Sequence, residues 1–172
     1  TPFYLYSSLQ IKENYLSFAN SFKSVKPLIC FAAKANTNLT VLKILGKLGS
    51  GADVVSGGEL LKAIKAGIEP KKIVFSGVGK TEEELRLAIS KKILLINVES
   101  ESEAKLINRI GKRANKKISI GFRLNPNVDA KTHKKISTGR AENKFGLSIE
   151  NFTLFYKNIK KFKHLRIDAL SV

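Results

Sequence analysis

The chain has 172 residues, 43% of them hydrophobic, and carries 31 Lys and Arg against 14 Asp and Glu for a net charge of +17. That size suits one globular domain with a real core, and no run approaches the ~20 apolar residues of a membrane span. Cys30 is the only cysteine, which excludes an intrachain disulfide and a cysteine-based zinc site, and TPFYLYSS lacks the pattern of a secretory leader, so a reducing cytoplasm is expected.

In chain order, Ser7-x-x-Gln10 reads as a capping box opening a helix. Ile11, Tyr15, Phe18, Ala19 and Phe22 recur along it as one apolar face. Pro27 to Ala33 is an apolar run without alternation, as in a parallel strand buried on both faces. It ends at Lys34. Asn38 or Thr37 then caps a helix carrying Val41, Leu42, Leu45 and Leu48, stopped by Gly49 and Gly51. Residues 52–55 form a brief strand ended by the capping box Ser56-x-x-Glu59, and Leu60, Leu61 and Ile64 face the core from the helix behind it. Gly67, Ile68 and Pro70 stop that helix.

Residues 73–75 make the next strand. Thr81-x-x-Glu84 opens a helix through Leu85, Ala88 and Ile89, and residues 93–96 return as a strand. Ser100-x-x-Glu103 opens another helix, with Ala104, Ile107, Ile110 and Ala114 on one side, before a strand at 118–124. Strict strand–helix alternation with short links predicts a parallel sheet of βα units. An open doubly wound sheet and a βα barrel satisfy the pattern equally. From Asn125 to Leu147 no periodicity is visible, and so long a connection after a strand end reads as a functional loop. A helix capped near Ser148 or Asn151 and a strand over 164–172 complete the chain.

Lys34 is the first candidate for chemistry. A lysine at the end of a buried strand can be partly desolvated, which favours the free amine that a Schiff base requires, and Ala33 and Ala35 would leave room for a flat ring. The plain alternative is a lysine stepping into water. Asp53, in GADVVS, can reach a site at the strand ends or sit on the surface. Glu59 is accounted for by its capping box. Arg123, in an otherwise apolar strand, needs an anionic or π-rich partner, so a site role and an internal salt bridge compete. Ser76-Gly77-Val78-Gly79-Lys80-Thr81 is not a P-loop, because Val74 stands where the first glycine belongs, and Thr81 reads as a cap. His133 reads as a loop residue and His164 as exposed before the last strand.

The charge admits a nucleic-acid-binding module as an alternative. However, pairs such as Lys71-Lys72, Lys91-Lys92, Lys116-Lys117 and Lys160-Lys161 are spread along the chain, with no groove-reading motif. The charge is read as solvated helix faces and loop ends, so neither nucleic acid nor membrane is an expected partner.

TPFYLYS, CFAAKAN, GADVVSGGEL, FSGVGKT, INVESESE, FRLNPNVDAKTHKKISTG and ENKFGL occur here in the order found in diaminopimelate decarboxylases, which the chain resembles along essentially all 172 residues. These are pyridoxal-phosphate (PLP) decarboxylases with an alanine-racemase-like barrel. The resemblance implies an α/β chain forming part of a PLP-binding (β/α)8 TIM-type barrel, with about six βα units present. It implies Lys34 as the lysine that binds PLP covalently, Asp53 as an acidic residue near the cofactor and Arg123 as an arginine close to the ring. Lys144, in the KFG stretch, takes a supporting role. The implied reaction converts meso-diaminopimelate to L-lysine and carbon dioxide in lysine biosynthesis.

Members of that family are more than twice this long. A histidine motif, a glycine-rich phosphate loop, a glutamate for the pyridinium nitrogen and a C-terminal β-domain are not among these residues. Residues 1–172 are therefore expected to form an incomplete barrel domain, inactive by itself and poorly soluble, from a protein that is a homodimer. Thr1 in place of Met suggests residues upstream. Relatives acting on ornithine, arginine or carboxynorspermidine, and a non-catalytic cofactor-binding protein, are the other readings.

Overall fold

Each α-helix among the described residues begins at the side chain that can cap it. Ser7, Ser56, Ser100 and Ser148 accept from the amides of Gln10, Glu59, Glu103 and Asn151 at 3.2 Å. Asn38 accepts from Thr40 N at 2.8 Å, and Thr81 from Glu84 N at 3.2 Å. The reciprocal half of the box varies. Glu84 accepts from Thr81 N, but Glu59 and Glu103 reach one residue further back, to the amides of Val55 and Glu99 (2.8 and 2.9 Å). Gln10 turns to Asn14 instead.

The computed structural model describes residues 1–128 and 145–172 and divides into two compact units. The first, Thr1–Phe75 with Lys91–Leu94, holds α1 (Ser8–Ser21), β1 (Cys30–Ala32), α2 (Leu39–Lys47), β2 (Gly51–Val54), α3 (Gly57–Lys65) and β3 (Ile73–Phe75). Its strands are parallel and pair in sequence order, with Ala32 opposite Asp53 and Asp53 opposite Val74. Ala52, Val54, Ile73 and Phe75 are fully buried, as are Leu42, Leu60 and Ala63 of α2 and α3. The alternate positions Cys30, Ala32, Asp53 and Val74 are half-buried on the other face.

The second unit, Ser76–Ser90 with Leu95–Val172, contains most of α4 (Glu82–Lys91), then β4 (Leu95–Val98), α5 (Glu101–Arg113), β5 (Ile118–Arg123), α6 (Ile149–Lys157) and β6 (Leu165–Ser171). These strands too are parallel and in sequence order, with a bulge where Gly121 meets Ala169. Ile96, Val98, Ile120 and Phe122 form its core with Leu85, Ala88, Ala104 and Ile107, and the Phe122 ring lies 4.9 Å from that of Phe155.

Several expected boundaries are corrected. The run 27–33 yields only three strand residues, all half-buried rather than buried on both faces; at its start Lys26 takes a φ of 46° and Pro27 has no N–H to donate to a ladder. Residues 93–94 stay in a connection, where Leu94 N donates to the carbonyls of Pro70 and Ile73, so β4 starts two residues later than expected. Gly51 does not stop a helix. It opens β2, where a Cβ would lie 2.2 Å from Lys72 O. Gly49, at φ 95°, makes the stop. Leu61 is 49% exposed and Ala63 takes the core position instead, while no residue of α1 is buried. Ala114 is exposed at the end of α5, and Gly111 packs in its place.

Candidate functional site

The sequence candidates fall into both units. In the first, Lys34 follows β1 within a single 3-10 turn, Ala33–Ala35. Ala33 is fully buried, but Lys34 is exposed, so the expected desolvation by a surrounding strand is not found. Lys34 thus lies in a turn just past the end of β1. Asp53, half-buried near the end of β2, pairs in register with Ala32, two residues before Lys34. The structure thus brings Lys34 and Asp53 to the C-terminal ends of neighbouring strands. Cys30 sits one step deeper. Burial first, and then the Asp53 charge, push its thiol above the ordinary range.

Arg123 belongs to the second unit, as the last residue of β5. Its Nη1 donates to Glu99 Oε1 at 3.1 Å, and the Phe145 ring lies 5.2 Å from its Cζ. The internal salt bridge is therefore present, with a π-rich face beside it. Glu99 Oε2 accepts from Gly146 N at 3.0 Å. The Arg123 carbonyl accepts from Leu147 N (2.8 Å), and Leu147 O accepts from Asn125 N (2.7 Å), so FGL docks on the end of β5 like a short parallel strand. Gly146 allows that approach, since at its φ of 77° a Cβ would lie 2.7 Å from Arg123 O.

Behind Arg123 lies a cation that sequence reasoning passed over. Lys80 has 1% of its side chain exposed and donates to Gly77 O (2.6 Å), Asn97 O (2.7 Å) and Glu103 Oε1 (2.9 Å). Three acceptors match the three protons of an ammonium, so the buried charge is fully bonded. Glu103 Oε2 holds the amide of Glu99, which joins the Lys80–Glu103 pair to the Glu99–Arg123 pair through the Glu99 backbone. The only hint in the sequence was a lysine just before a capping threonine. Glu99 was hidden among three glutamates in VESESE. Asn97 donates to Ser76 Oγ (3.1 Å), while its Oδ1, over Gly121, is the one buried side-chain oxygen or nitrogen without a partner among the described residues.

Lys144, His133 and most of the 125–147 connection lie outside the described residues. His164 is half-buried, not exposed, its amide donating to Asn108 Oδ1 at 3.1 Å. The described residues contain no cluster of three metal-ligating side chains and no helix long and apolar enough to cross a membrane.

Residues 8–171 match the family model described as pyridoxal-dependent decarboxylase, pyridoxal binding domain. The chain is 54% identical over 147 residues to a diaminopimelate decarboxylase of Helicobacter pylori, covering 86% of this chain and 36% of that protein. It is 48% identical over 167 residues to a diaminopimelate decarboxylase of Aquifex aeolicus, covering 97% and 39%. A crystal structure of the Helicobacter pylori enzyme complexed with L-lysine superposes with a TM-score of 0.95 at 48% identity, over 99% of this chain and 43% of that one. The chain thus spans well under half the length of these relatives. The likeness bears out the α/β barrel class that the strand–helix pattern alone left undecided.

Proposed function

We propose, from the premise that the chain belongs to the pyridoxal-dependent decarboxylases and matches their pyridoxal-binding domain, that the protein carrying it decarboxylates meso-2,6-diaminopimelate to L-lysine. The observation that carries this reading is identity of 48–54% over 86–97% of the chain to proteins named for that reaction.

The donor set suits the cofactor. Lys34 offers a solvent-accessible primary amine in a turn of small residues, where an incoming aldehyde can be bound covalently, and Asp53 supplies a carboxylate on the adjoining strand. For Arg123, in the second unit, the family resemblance supports a role as the arginine close to the cofactor ring. Bound to Lys34, PLP supplies an electron sink for the pair left behind when carbon dioxide departs. One carbon–carbon bond breaks at the D-centre and one proton takes the place of the carboxylate. The protein's share is to bind, orient and hold charge. Residues 1–172 are read as an incomplete barrel domain of a cytoplasmic, homodimeric enzyme, and its positive charge as solvated surface.

The test is the absorbance spectrum of the purified chain with PLP, before and after borohydride, followed by peptide mapping. A visible band trapped on Lys34, and lost in Lys34→Ala, is expected. Labelling scattered over surface lysines would overturn the assignment. Release of L-lysine from meso-diaminopimelate by the whole protein, set against ornithine, arginine and carboxynorspermidine, tests the substrate.

A further inference from the structure

The two joined ion pairs at Arg123 point beyond a simple salt bridge. Glu99 has 8% of its side chain exposed and Arg123 has 27%. The arginine is therefore the member that reaches accessible space, and the carboxylate stands behind it. The two carboxylate oxygens do different work. One accepts from Arg123 Nη1 and the other from Gly146 N, so a single buried group ties the guanidinium to the returning FGL segment. Only a full carboxylate suits both donors, because in an amide of the same shape one end becomes an N–H facing another N–H. The backbone of Glu99 is held in turn, since its amide donates to Glu103, which Lys80 anchors to the carbonyls of Gly77 and Asn97.

We propose that Glu99 is a positioning residue, whose buried carboxylate fixes the Arg123 guanidinium in place for the cofactor and ties it to the Gly146 amide, with the Lys80–Glu103 pair as its buttress. This rests on the reading of Arg123 as a cofactor contact. Glu99 itself touches no cofactor and acts through Arg123.

The experiment uses the PLP-loaded whole protein that carries this chain, stripped and then titrated with PLP while the visible band and the melting temperature are followed. Glu99→Gln should raise the PLP Kd by about tenfold or more, as expected when a buried donor faces a donor. Ile107→Ala, a cavity in α5, should lower the melting temperature with the PLP Kd inside about twofold of the parent. In an Arg123→Lys background, Glu99→Gln should add less than about twofold, because both changes act through one contact. If Glu99→Gln does not fold, Glu99→Asp, which keeps the charge but is one methylene short, is read the same way. A parent-like Kd in the Glu99 variant, or equal rises in Kd for the Glu99 and Ile107 variants, would reduce Glu99 to a structural part. A parent protein with no visible band would overturn the cofactor reading and this one with it, and the parent spectrum distinguishes that outcome.

Discussion

Lys80 shows how much a single side chain can hold. Its ammonium is buried with three acceptors, and removing the charge leaves Glu103, itself 11% exposed, without its counter-ion. Breaking a buried pair from one side costs roughly 3–5 kcal/mol, whereas replacing both partners by apolar groups costs far less. Lys80→Met should therefore lower the urea midpoint strongly, and Lys80→Met with Glu103→Leu should recover part of the loss; equal midpoints for the single and double variants would show that the pair is not what holds this corner. Cys30 makes a prediction in pH. Burial and the Asp53 charge raise its thiol, so the folded state holds the proton more tightly than the unfolded chain does. Its contribution to stability is full below the ordinary thiol pKa and is lost as pH rises through the folded value. Alkylation by iodoacetamide near the ordinary thiol pKa should be slower than for free cysteine, and faster in Asp53→Asn than in the parent. Position 34 was legible because an apolar run stopped at a lysine. The partners of Arg123 were not, since Glu99 lies 24 residues away in sequence.

At the level of elements, caps and apolar spacing located all six α-helices among the described residues, because both are local in sequence. Strand limits moved where a neighbour decided them. β2 begins at Gly51 since only a residue without a Cβ fits against Lys72 O and Cys30 Sγ, at 2.2 and 2.7 Å from where the Cβ would be. Gly51→Ala should cost about 1–3 kcal/mol or more, read as a lower midpoint in urea, by prising β2 from its neighbours. Apolar spacing also has a limit as a guide to burial. The face of α1 is periodic, yet only Ile11, Tyr15 and Ala19 along it are half-buried, while Phe18 and Phe22 are 55% and 40% exposed.

At the scale of the whole chain, a charge of +17 is set against a surface that carries large apolar groups, Phe3, Tyr4, Leu5, Leu154 and Leu170 among them. Like charges repel over a Debye length of about 10 Å at 0.1 M salt, and over much less as salt rises. The 172-residue chain should therefore be better dispersed at low salt and associate as salt is added, measured as the hydrodynamic radius by light scattering; a radius that falls with salt would mean the charge, not the apolar surface, governs association. The alternation of strands and helices, the helix starts, the lysine after β1 and the order of family motifs were determined by the sequence by itself, because each is a local pattern or a run of residue types. Only the tertiary structure decided that Lys34 leaves the strand in an exposed turn, that Arg123 is held by Glu99 and that Lys80 is a buried anchor. Those facts depend on which strand ends and loops meet across tens of residues, and neither periodicity nor spacing encodes that.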